Sequence, residues 1–123
     1  MSSTPTKAEM ARYIATARQR EQAERHQKEQ RYQQGGQIAK QAAALLKERF
    51  HAQQVWLFGS MLTPHRVYPH SDIDLAVAGL EPTQYLEAVV ELLDLSEFSV
   101  DLVQVEYAQP SLLDVIKQHG IEL

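Results

Sequence analysis

Two aspartates, Asp72 and Asp74, open the apolar run Ile73-Asp74-Leu75-Ala76-Val77 of this 123-residue chain. A carboxylate inside such a run is costly to bury unless something compensates its charge. The run reads as a strand, in which alternate residues share a face, so both carboxylates point the same way. Like charges placed in that way repel, and a divalent cation between them removes the repulsion. Upstream, the apolar run Val55–Phe58 ends in Gly59-Ser60, with residues 61–71 as a loop between the two features. Glycine lets the backbone approach a ligand closely, and a serine hydroxyl with neighbouring N–H groups can hold phosphate oxygens. Together the two features describe a metal-dependent phosphoryl-group site.

A third carboxylate, Asp101, interrupts the β-prone run Phe98–Val105 just as Asp74 interrupts its own. It shares a strand face with Val103 and Val105, which predicts that it points into a covered surface; the alternative is a solvent-facing edge position. Three converging carboxylates suit two Mg²⁺ ions, which take oxygen ligands and bridge substrate phosphates. Such a pair stabilises the attacking and leaving oxygens of an in-line displacement, so no histidine base is required. In the loop, Arg66 is the candidate phosphate contact, a fixed charge able to bind bidentately. His65 and His70 read as plain polar loop residues. Tyr68 is a stacking candidate with duller explanations, Trp56 reads as core, and Glu97 and Glu106 read as surface charges.

These residues need elements to hold them. Thr6-Lys7-Ala8-Glu9 reads as a capping box that starts a helix, with Met10, Tyr13, Ile14 and Ala17 as a modest apolar stripe. Residues 18–34 are helix formers with almost nothing to bury: a solvated extension, or a docking arm that covers Met10, Tyr13 and Ile14 with a partner. Gly35-Gly36 is expected to break that helix and act as a hinge, dividing an arm (1–36) from a domain (37–123). Ile38, Ala42, Leu45, Leu46 and Phe50 trace the buried face of the next helix. Val55–Phe58 and Ile73–Ala78 read as strands, the first covered on both faces. Pro82 is expected to open a helix with Leu86, Val89, Val90 and Leu93 on its core face. Phe98–Val105 reads as a third strand, and Pro110–His119 as a last helix (Leu112, Leu113, Ile116) closed by Gly120. Alternating strands and helices predict a small layered α/β domain.

Composition narrows the setting. The chain has the length of one domain, and 44% hydrophobic residues suits a globular core. With no cysteine, disulfides and thiolate–metal sites are excluded, and a reducing, cytoplasmic compartment is expected. No apolar run reaches the roughly 20 residues of a membrane span. The N-terminus has no apolar signal-peptide core. Residues 1–34 carry seven Lys/Arg against four Asp/Glu, whereas residues 35–123 carry five against twelve. An acidic body argues against direct gripping of nucleic acid.

Gly59-Ser60, Asp72-x-Asp74 and Asp101 on a later strand form a pattern that resembles the DNA polymerase β-like nucleotidyltransferase superfamily. The compact size is most similar to its minimal nucleotidyltransferases, the antitoxin partners of HEPN-domain toxins. The resemblance spans residues 37–121, and S-D-I-D-L-A-V at 71–77 is its most specific part. It implies a small mixed sheet flanked by helices (α/β, in the α+β sense), with the N-terminal helix as an addition. It also implies that Gly59 and Ser60 hold nucleotide phosphates, that Asp72 and Asp74 bind both metals, and that Asp101 completes one metal site and helps activate the acceptor. The implied reaction moves AMP from ATP to a tyrosine of the HEPN ribonuclease toxin. The alternatives are neutralisation by occlusion alone and transfer to a small molecule; relatives of the latter kind usually carry an extra helical domain. Two departures fall in the loop: Met61-Leu62-Thr63-Pro64 stands where many relatives have another glycine, and the spacing from Ser60 to Asp72 is about one residue longer.

Overall fold

A computed structural model describes residues 4–123; the first three residues of the arm lie outside the described residues. The order is helix α1 (Lys7–Arg49), strand β1 (Gln54–Phe58), two 3₁₀ turns (Gly59–Leu62 and Pro64–Arg66), strand β2 (Ile73–Ala78), helix α2 (Tyr85–Asp94), strand β3 (Val100–Gln104), helix α3 (Pro110–His119) and strand β4 (Ile121–Glu122). The strands form one mixed sheet in the order β3-β2-β1-β4. β1 runs antiparallel to β2 and β4, while β2 and β3 are parallel. The expected α/β layering is present, and β1 is an interior strand as its unbroken apolar run requires.

The core lies between the sheet and helices α1 and α2. Val55, Leu57, Ile73, Leu75 and Val77 face α1's Ala39, Ala42, Ala43 and Leu46 and α2's Ala88 and Leu92. Small residues on α1 let the helix approach the sheet closely. Each large apolar side chain buried here contributes about 1.5–3 kcal/mol. The other sheet face is thinner, with Phe58, Ala76 and Ile116 buried together and Trp56 packed beside them. The C-terminus closes β1 on its far side: Ile121 pairs with Leu57, the Leu123 amide donates to the Val55 carbonyl (2.8 Å), and Lys47 Nζ donates to the Leu123 carbonyl. β4 is not foreseeable from two exposed residues.

Three expectations need correction. First, Gly35-Gly36 does not break the helix: α1 runs unbroken for 43 residues. The glycines cost helix propensity, but packing on both sides outweighs that cost. Gly35 is buried, and a Cβ there would lie 2.6 Å from Met61 Sδ, so a glycine lets the helix sit on the loop. Before the glycines, Arg31 Nη2 donates to the Ser71 carbonyl (3.0 Å) and its guanidinium lies over the Phe98 ring (4.3 Å).

Second, α2 buries a face shifted from the expected one. Ala88 and Leu92 are inside and Val89 packs half-buried against the core as expected, whereas Leu86, Val90 and Leu93 are 75%, 58% and 47% exposed. Third, the last long strand is only Val100–Gln104 and forms the sheet edge, so Asp101 is exposed rather than covered. The N-terminal expectation holds: the Glu9 amide donates to Thr6 Oγ1 (3.1 Å). Met10, Tyr13 and Ile14 are exposed. No helix among the described residues is long and apolar enough to cross a membrane.

Candidate active site

β1 delivers Gly59 at the top of the central strand, with φ +81°, a left-handed conformation that favours glycine. A Cβ built at Gly59 would collide with the Asp74 carboxylate, 3.1 Å from its Cγ. Glycine is therefore required twice, once by the backbone and once by the acid beside it. The register explains this closeness, since Phe58 pairs with Asp74 across β1 and β2. Ser60 follows in the 3₁₀ turn, half-buried, with Met61 buried behind it.

The parallel pairing of β2 and β3 sets Asp74 directly beside Asp101. Asp72, just before β2, precedes Asp74 by two residues and shares its face. Asp74 is half-buried, while Asp72 and Asp101 are exposed. Burial first, then the charges of Asp101 and Asp72, push the Asp74 carboxyl up to about 6. The three acids thus form one electrostatic unit with Asp74 at its centre.

Among the described residues, no three metal-ligating side chains are clustered tightly enough to hold an ion as they stand. Two of the three carboxylates, Asp72 and Asp101, are exposed to solvent. The donor set is nonetheless all carboxylate oxygen, which suits Mg²⁺ or another hard divalent cation. A cation also answers the burial and the like-charge repulsion that together raise Asp74. The residues fit such an ion.

Arg66 ends the turn Pro64–Arg66; it is exposed, and its guanidinium makes none of the ion pairs among the described residues. His65 and His70 are exposed, and Trp56 packs against the thin core face. Two residues absent from the sequence-based set reach the site loop from α1. Lys28 Nζ lies 5.1 Å from the Tyr68 ring centre, and Arg31 holds Ser71, the neighbour of Asp72. With Gln27, Gln34, Val67 and Pro69 they line a cleft of about 610 Å³. No local signal announces them, because a long polar helix offers no hint of which charge will meet a loop. Glu106 also does more than face solvent, accepting from the Gly79 amide (2.7 Å).

Comparison with protein families matches residues 40–123 to "Polymerase beta, Nucleotidyltransferase". The chain belongs to this nucleotidyltransferase family. The match contains Gly59, Ser60, Asp72, Asp74 and Asp101, and it begins inside α1, beyond the protruding arm. A comparison with curated proteins finds no sequence match. Among solved structures, the nucleotidyltransferase is similar to a toxin–antitoxin structure with AMP-PNP, at 25% identity and a TM-score of 0.57 over 67% of this chain and 69% of the other. It is also similar to a variant of the toxin–antitoxin MntA-HpeT, at 27% identity and a TM-score of 0.55 over 68% of each chain. A structure from Shewanella oneidensis, 21% identical with a TM-score of 0.50 over 68% of this chain and 65% of the other, shares the fold.

Proposed function

We propose that this nucleotidyltransferase is an antitoxin that moves AMP from ATP to a tyrosine hydroxyl of a HEPN-type toxin, in the cytoplasm. The observation that carries the reading is the charged unit of Asp72, Asp74 and Asp101 beside a glycine that cannot be replaced without striking Asp74. The relatives solved as toxin–antitoxin structures, one of them with AMP-PNP, supply the class of partner and nucleotide.

In the proposed reaction the tyrosine oxygen attacks the α-phosphorus of ATP. A new O–P bond forms, the bond from the α-phosphorus to the bridging oxygen of the β-phosphate breaks, and pyrophosphate leaves. The Gly59 and Ser60 N–H groups and the Ser60 hydroxyl hold the β- and γ-phosphate oxygens, and Arg66 swings in from the loop to add a positive charge. Asp101, exposed on the edge strand, faces the incoming hydroxyl and receives its proton at a carboxylate oxygen. Asp72 and Asp74 with Asp101 would hold two Mg²⁺ ions, whose charge offsets that on the triphosphate and eases ionisation of the hydroxyl.

Intact-mass measurement of the HEPN partner after incubation with ATP and Mg²⁺ tests the proposal. Mass increments of AMP, lost in Asp72→Asn/Asp74→Asn, are expected. An unchanged partner mass while toxicity is still suppressed overturns transfer and leaves occlusion as the function.

A further inference from the structure

Two apolar stripes in this molecule face solvent, and their surroundings carry opposite charge. The first is on the arm. α1 extends about 30 Å beyond Lys28 at 1.5 Å per residue, and along it Met10, Tyr13 and Ile14 are 46%, 76% and 44% exposed. Helical spacing adds Ala17 to the stripe and borders it with Lys7, Arg18 and Arg20, all exposed, against one acid, Glu9, beside Tyr13. The second is on α2, where exposed Leu86, Val90 and Leu93 share one face at positions i, i+4 and i+7. Glu87 and Asp94 border that face; Glu87 lies 4.0 Å from Arg49 Nη2, whose close partner is Glu91 (2.6 Å), and Asp94 makes no ion pair among the described residues. The surrounding segment is acidic throughout: residues 67–116 contain ten carboxylates and no Lys or Arg.

The stripes match in length, since Met10–Ala17 and Leu86–Leu93 each span two turns. They also match in chemistry, apolar centre against apolar centre and basic border against acidic border. The arm cannot reach its own α2, because α1 is a single unbroken helix that carries the stripe away from the body. We propose that the arm of one copy docks on α2 of a second copy, and the reverse, giving a two-fold dimer. Reciprocal exchange of this kind closes on itself, because each copy offers one arm and one acceptor face. Burial of six large apolar side chains per exchange supplies the attraction, and the charged borders set partner and direction. The carboxylates of the active site lie on the opposite side of the sheet from α2, so docking leaves them accessible.

The test is the oligomeric state of the full chain, by light scattering at high micromolar concentration and low salt. Twice the monomer mass is expected, falling towards the monomer as salt rises. Ile14→Asp and Val90→Asp, both at exposed positions, should each yield monomer with unchanged helical circular dichroism. The decisive arm is a charge exchange: Arg18→Glu with Arg20→Glu should dissociate the dimer, and adding Asp94→Lys, at a position outside the Arg49 ion pairs, should restore association. A wild-type monomer, or a dimer indifferent to both sets of substitutions, overturns the proposal. So does an arm that associates only with a HEPN-type chain.

Discussion

The body and the arm of α1 are made of the same secondary structure and behave as opposite kinds of object. From Gly35 onward the helix buries Ala39, Ala42, Ala43 and Leu46 against a sheet. Before Lys28 it buries nothing among the described residues, and its stability rests on the Thr6 cap, helix propensity and its neighbours within the helix. The difference teaches where constraint lies. In the body, a core methyl group or the Asp74 carboxylate is held by several elements at once; in the arm before Lys28, side chains meet only solvent and their neighbours on the same helix.

The largest effect that would sharpen this contrast is catalytic. Asp72→Asn with Asp74→Asn should lower AMP transfer by at least about 10³-fold, the scale of losing charge stabilisation in a transition state. The thermal midpoint should not fall, because repulsion around Asp74 is relieved; full activity in a transfer assay would refute the site. No arm substitution is expected to approach that loss.

Next comes truncation of an aliphatic side chain in each region. Leu46→Ala removes a fully buried side chain and should cost about 2–5 kcal/mol by denaturant unfolding. Ile14→Ala, on the exposed arm, should cost less than about 0.5 kcal/mol when measured at concentrations where the chain is monomeric. Comparable losses would erase the distinction between body and arm.

Neighbouring glycines probe the boundary itself. Gly35→Ala drives a Cβ into the buried Met61 side chain and should destabilise by about 1–3 kcal/mol. Gly36→Ala meets nothing within 4 Å and should stabilise by roughly 0.5–1 kcal/mol, the helix-propensity gain. The same sign for both in thermal melts would contradict the packing described.

A further effect, of the same order as the glycine substitutions, is the pH response of the body. Asp74 titrates at about 6 in the folded state against 3.8 normally, so the folded protein keeps a proton that the unfolded chain releases in that window. Stability is therefore highest below the window, declines as pH rises through it, and reaches its lower plateau above about 6. The decline should be about 1 kcal/mol once solvent screening at a half-buried carboxyl is allowed for. Melting curves of Asp74→Asn should lack it, and Mg²⁺ should raise the wild-type midpoint above pH 6 while leaving that of the variant unmoved.

Much of the candidate site was legible along the chain because its signals are local. Carboxylates at Asp72, Asp74 and Asp101 stand out within apolar runs, and Gly59-Ser60 stands out at the end of one. The cap at Thr6, the strand Ile73–Ala78 and the last helix are equally local, since each rests on residues within a few positions of one another. The exposed face of α2 was not legible, because Leu86, Val89, Val90, Leu92 and Leu93 surround the helix and periodicity alone cannot choose among them.

What the sequence by itself determined is the inventory: which residues can carry charge into a strand, where helices start, and that the first 34 residues carry a basic balance and the remainder an acidic one. Tertiary structure alone decided that Asp101 stands beside Asp74, through a parallel register that no local pattern encodes. It also decided that α1 runs through two glycines. The physical reason is the same in both cases: contacts between residues far apart in the chain outweigh local preferences of about 1 kcal/mol per residue, and those contacts exist only once the sheet has formed.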